Sequence, residues 1–160
     1  MWWRLDRRTY EAHKGADNRR SLRRLVRRGP PPGLIAYDGG RPVGWIAIAP
    51  RTEYPRLDRS RILARVDASP VWSISCFFVA RSHRGQGLTR RLVDAALDHV
   101  RAAGGGLVEA YPVDPSGRSP DAFVYTGLAP TFLSAGFTEV ARRSPTRPIL
   151  RRRVRTGRQR

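Results

Sequence analysis

The sequence predicts an α+β fold of mixed αβα type, a central mixed β-sheet flanked by helices, and three observations carry that prediction. Residues 34–49 alternate around Asp38-Gly39-Gly40 as an antiparallel hairpin does. Residues 71–80 are β-branched or aromatic at most positions, the composition of a buried strand. Directly after them Leu88, Leu92, Val93, Ala96, Leu97 and Val100 recur at helical spacing. A strand, a glycine turn and a helix in succession form a unit whose apolar helix face must cover a sheet.

Taken in order, residues 9–28 are polar and helix-friendly, with Leu22, Leu25 and Val26 on one face and Gly29 at the C-terminal end, and predict one or two helices. Pro30-Pro31-Pro32-Gly33 then breaks the chain before the hairpin strands 34–37 and 43–49. Residues 51–70 are too long for a structureless connection in a small domain, and 56–65 are expected to form a short helix. The helix that starts at Leu88 is ended by Gly104-Gly105-Gly106. A strand at 107–111, a proline-containing polar loop at 112–120, a helix at 128–135 closed by Gly136, and strands at 137–142 and 148–154 complete the series. Residues 1–150 are expected to form a single domain, and 151–160 the end of the last strand and a tail whose six arginines are mostly solvated.

A hydrophobic share of 40% suffices to close one core. No apolar run approaches the roughly 20 residues that span a bilayer, and the N-terminus lacks the order of a secretory signal, so a cytoplasmic, membrane-free monomer or homodimer is expected. Thirty-one basic against 13 acidic residues leave a net charge of +18, which attracts polyanions, large or small. Cys76 stands alone in an apolar strand, so neither a disulfide framework nor a metal site is expected. His13, His83 and His99 read as surface residues.

The junction Arg84-Gly85-Gln86-Gly87-Leu88-Thr89 is suited to an anion. Glycines let successive N–H groups converge, and the helix start adds unpaired donors and partial positive charge. A Walker loop would need Gly-Lys-Ser/Thr, which is missing; a dinucleotide fingerprint would need a third glycine where Arg90 stands. A pyrophosphate gripped by backbone amides, Arg84 and Arg81 remains.

This loop resembles the acyl-CoA pyrophosphate motif Gln/Arg-x-x-Gly-x-Gly/Ala of the GNAT superfamily of N-acetyltransferases, with Arg84, Gly87 and, as a departure, Thr89 in the three defined places. The order of helices, hairpin, long strand, glycine loop, helix, strand, helix and closing strands is similar to that family over nearly the whole chain. Residues 1–5 are a short stub for the family's first strand, so a longer natural N-terminus is expected. The resemblance implies a GNAT-like sheet splayed between its fourth and fifth strands, and acetyl-CoA as acyl-donor cosubstrate with no metal. The acceptor is then a primary amine of a small molecule or protein, reacting by direct attack. Phe77, Phe78 and Val79 would hold pantetheine through their backbones, and Arg84, Gly85, Gln86, Gly87, Leu88 and Thr89 the diphosphate.

The family's usual acid is a tyrosine four residues before a Gly-Phe; with Gly136-Phe137 here, Phe132 takes that place. Tyr125 and Tyr111 are the candidate substitutes, and each also reads as a packing tyrosine. Glu109 shares a strand face with Tyr111 and is expected to act as general base, directly or through water, with an ion pair to an arginine as the rival reading. Cys76 has no histidine at a telling position to make it a nucleophile. The insertion 51–70 is expected to wall the acceptor site, offering Glu53, Tyr54 and Asp58 to a cationic amine. The rival readings are an RNA- or DNA-binding protein acting through its arginine-rich tail and first helix, or a GNAT-like enzyme docking on RNA or the ribosome.

Overall fold

A computed structural model of the protein describes residues 1–114 and 124–156. Asp6 opens the first helix by accepting the Thr9 N–H at 2.9 Å, and two helices follow, α1 (Arg7–Ala12) and α2 (Ala16–Arg28). Leu22 and Leu25 are half-buried, but Val26 is 53% exposed, so the buried face of α2 is narrower than the sequence pattern indicates. Residues 1–5, expected as a strand stub, instead form a turn in which Arg4 and Leu5 N–H donate to the Met1 carbonyl.

The hairpin consists of β1 (Gly33–Asp38) and β2 (Arg41–Pro50). A single turn of 3-10 helix at Arg51–Glu53 leads into the one-turn α3 (Pro55–Asp58), far shorter than the helix expected over 56–65. Then come β3 (Val71–Val79), α4 (Leu88–Ala102), β4 (Gly106–Ala110), α5 (Ala129–Ser134), β5 (Thr138–Arg142) and β6 (Pro148–Val154). The described strands form one six-stranded mixed sheet in the order β1-β2-β3-β4-β6-β5. Only β3 and β4 run parallel, and they pair only from Val71–Leu107 to Ile74–Ala110. Beyond Ile74, β3 continues for five residues without a ladder to β4, which is the splay expected from the sequence.

One face of this sheet is covered by α4. All six apolar positions read from the sequence are buried there, packed with Ile46, Ile48, Ile74, Val108 and Leu150. The other face carries a smaller cluster of Ala49, Tyr54, Leu57, Leu63, Tyr111 and Ile149, over which residues 51–70 are laid.

Charge holds that connection down. Cross-strand pairing puts Glu109 between Ser73 of β3 and Arg151 of β6. Its Oε1 accepts from Arg51 Nη1 at 2.7 Å and from the Tyr111 hydroxyl at 2.7 Å, while Oε2 accepts from Arg151 Nε at 2.7 Å. Arg51 also donates to Asp58 Oδ1 and to the Leu63 carbonyl, and Arg151 donates to Asp67. Arg143 adds bonds to the Ala64 and Arg65 carbonyls. Arginine side chains thus satisfy the Leu63, Ala64 and Arg65 carbonyls of this connection. Arg151, expected at the start of a solvated tail, is 9% exposed and belongs to the fold; residues 157–160 of that tail lie outside the described residues.

Replacing Glu109 by alanine would leave two guanidinium groups buried without their carboxylate, and should cost about 3–5 kcal/mol, a Tm loss of roughly 10 °C in a thermal melt. Stability should also depend on acid. The Arg151 guanidinium holds the Asp67 carboxyl well below the usual range, and Arg51 with Arg65 lower that of Asp58 against its partial burial. Depressed carboxyl values contribute stability above the unfolded value of about 3.9 and lose it as pH falls through the folded values. Melting should therefore be unaffected by these groups at neutral pH and weaken progressively below about pH 4.

Candidate active site

After β3 the chain makes a 3-10 turn at Arg81–His83 and then the glycine loop. Gly85 and Gly87 both have φ of +73°, and Gly87 is the residue from which α4 starts. A Cβ on either would meet nothing within 4 Å, so backbone conformation rather than crowding demands glycine there. The loop is braced from within. Arg84 Nε donates to the Val79 carbonyl at 3.2 Å, Gln86 Nε2 to the Ser82 carbonyl at 2.9 Å, and His83 Nε2 lies 3.0 Å from Asp38 Oδ2 in the hairpin turn. The first amides of the 15-residue α4 and its positive end face the space beside the loop.

That space continues into a cleft of about 300 Å³, lined by Phe77, Phe78, Val79, Arg84 and Thr89 on one side and by the 124–131 segment, including Tyr125 and Gly127, on the other. Five of the nine residues expected at the cofactor therefore line one cleft. Leu88 is instead buried against the core, and the Gln86 side chain is engaged in bracing. The three backbone candidates also separate. The Ala80 N–H points to β2, where it meets the Val43 carbonyl, so alternation turns Phe78 to that edge and Phe77 and Val79 to the cleft. The Phe77 N–H is already engaged, donating to the Tyr125 carbonyl at 2.6 Å.

Tyr125 reaches this position because Gly127 behind it has φ of +86°, and a Cβ there would lie 2.8 Å from the Phe132 ring and 3.1 Å from the Phe77 ring. The turn is further held by Val113, whose N–H donates to the Gly127 carbonyl and whose carbonyl accepts from Ala129. Phe132, at the position of the family tyrosine, is fully buried, with its ring edge-on to Phe77 and Phe137. Tyr125 is 36% exposed and borders two cavities, the cleft and a second one of about 510 Å³ on the sheet face away from α4. Burial raises its phenol above the ordinary value, and Arg147 beside it opposes the rise.

Glu109 and Tyr111 line neither cavity. Glu109, expected as general base, is instead fully buried with both oxygens engaged, so the geometry matches the rival ion pair and gives a base no access to an amine. Burial and the adjacent Glu109 charge push the Tyr111 phenol well above its usual range, and its proton is committed to Oε1. The insertion also departs from expectation. Tyr54 lines the larger cavity, but Glu53 pairs with Arg4 at 2.6 Å and Asp58 with Arg51 and Arg65, so neither carboxylate is offered to an amine. Cys76 borders the same cavity, with its thiol raised by burial and so disfavoured as a nucleophilic thiolate. Trp3, Tyr10 and Trp45 line it too and were not anticipated. Only Trp45 had a signal, since its alternation with the core residues Ile46 and Ile48 turns it away from α4.

Among the described residues no group of three or more His, Cys, Asp and Glu side chains is placed to hold a metal ion, and no helix is long and apolar enough to cross a membrane. No curated protein matches the chain. Solved structures do. An N-acetyltransferase from Staphylococcus aureus Mu50 superposes with a TM-score of 0.59 at 14% identity, over 89% of this chain and 79% of that one. A GNAT-family protein from Desulfovibrio desulfuricans gives 0.51 at 19% identity, over 76% and 68%. The NatC complex bound to Gag peptide and CoA gives 0.50 at 16% identity, over 82% and 77%. These likenesses speak to the fold. The sequence profile of the acetyltransferase (GNAT) family matches residues 1–119. With that match over most of its length, the glycine loop at the start of α4 and the forked sheet, the chain belongs to the acetyltransferase (GNAT) family of acyltransferases.

Proposed function

We propose that the protein transfers an acetyl group from acetyl-CoA to a primary amine by direct attack, with the diphosphate at the glycine loop and pantetheine in the cleft beside β3. The observation that carries this reading is the position of Tyr125, which borders both the cleft below the glycine loop and the larger cavity behind it. A thioester in the first and an amine in the second would meet at that ring.

In the reaction the amine arrives as its free base, and its nitrogen lone pair forms a bond to the thioester carbon. The carbon–sulfur bond then breaks as the tetrahedral adduct collapses. Tyr125 gives its phenolic proton to the departing sulfur and regains one from the amine nitrogen, so the products are an N-acetyl amide and CoA thiol. The amides of the glycine loop and Arg84 bind the diphosphate; Val79 and, once Tyr125 has released it, Phe77 present N–H groups to the pantetheine arm or the thioester oxygen. Glu109 and Tyr111 keep the sheet in shape and take no part in proton transfer. The exposed arginines of α2 enlarge the positive field that draws in the anionic donor, an effect that salt screens.

Acetyl-CoA at a hundredfold excess over its Kd should stabilise the native protein by about 2.7 kcal/mol and raise Tm by roughly 5–10 °C. No shift at saturating ligand would overturn the reading. A side chain at Gly87 must adopt a positive φ, so Gly87→Val should weaken acetyl-CoA binding in calorimetry by about tenfold or more. Tyr125→Phe should lower kcat by roughly 10²–10⁴ while leaving acetyl-CoA affinity unchanged. Unaltered turnover in that variant would remove Tyr125 from the chemistry.

A further inference from the structure

The larger cavity has a chemical character that the charge of the chain does not foretell. In a protein of net charge +18 it is lined, among the described residues, by six aromatic rings, Trp2, Trp3, Tyr10, Trp45, Tyr54 and Tyr125, and by no aspartate or glutamate. Its one cationic side chain, Arg4, is already held by Glu53 at 2.6 Å and lies over the Tyr54 ring at 4.6 Å, and the Met1 amino group that also lines it is pushed toward its neutral form by burial. The acidic residues of the neighbouring insertion are likewise taken up by Arg4, Arg51, Arg65 and Arg151.

Resting on the acetyl-transfer reading, we propose that the acceptor is a primary monoamine with an aromatic or bulky apolar body, rather than a polyamine or a lysine-rich chain. A volume of about 510 Å³ matches one such small molecule. A second ammonium group would find no carboxylate among the described lining residues, and a buried unpaired charge is strongly unfavourable. The same lack of anions favours the uncharged form of the attacking amine, which is the nucleophile. In the step itself, the ammonium of the free acceptor yields one proton to solvent on entry. The neutral nitrogen then bonds to the acetyl carbon, sulfur leaves with its electron pair, and the second nitrogen proton reaches sulfur by way of Tyr125.

The test uses the full chain with acetyl-CoA and four acceptors, phenylalaninamide, tryptamine, spermidine and a lysine-rich peptide, following thiol release and confirming products by mass. The aromatic monoamines should exceed spermidine and the peptide by at least roughly tenfold in kcat/KM, since the polycations meet like charge without compensation. Equal or better use of spermidine or the peptide overturns the inference. Absence of aromatic turnover while calorimetry still shows acetyl-CoA binding overturns this inference alone. Absence of acetyl-CoA binding overturns the transfer reading beneath it.

Discussion

Glu109, held between two arginines in the middle of the sheet, is the contact on which the rest of this structure depends. Its carboxylate joins the end of β2 through Arg51, β6 through Arg151, and by way of their other donors the whole connection from Asp58 to Asp67. A charge so deeply buried is tolerable only when it is paired and hydrogen-bonded, and here both carboxylate oxygens accept from an arginine. The cluster also stands at the fork of the sheet. Ser73, paired with Glu109, bonds the Tyr111 hydroxyl at 2.7 Å, and one residue further along the ladder between β3 and β4 ends. The strands are pinned on one side of that point and part on the other, where the cleft lies.

The two halves of the molecule meet different demands. On the α4 face, repeated apolar contacts give a rigid block that aims the helix start and its glycine loop at one spot. On the opposite face, rings and ion pairs leave a roomy hollow beneath the N-terminal turn. Gly127 connects the two: without a side chain it nestles against Phe77 and Phe132, and so sets Tyr125 between the cleft and the hollow. A phenylalanine at position 132 and a tyrosine at position 125 belong together in this arrangement, one serving the core and the other the opening.

Local periodicity accounts for what was legible beforehand. The six buried positions of α4, the hairpin, the long β3 and the glycine loop each follow from neighbours a few residues apart, and all stand in the structure as expected. What escaped prediction depends on distant pairings. Arg51 meets Glu109 across 58 residues and Arg151 meets Asp67 across 84, and nothing in the chain says which of 31 basic residues an acid will choose. The short α3, the burial of Arg151 and the loss of Asp58 as a substrate contact all follow from those choices. The aromatic lining was hidden for a related reason, since positions 3, 10 and 45 share no period and come together only when α1, α2 and β2 are in place.

The bond between the Phe77 amide and the Tyr125 carbonyl links backbone and ring in a single residue. Any guest that claims the amide must first lift that carbonyl away, and the residue lifted is the one that borders both the cleft and the larger cavity. A guest in the cleft would thereby reshape the larger cavity through the swing of one peptide unit, with no helix or strand obliged to move.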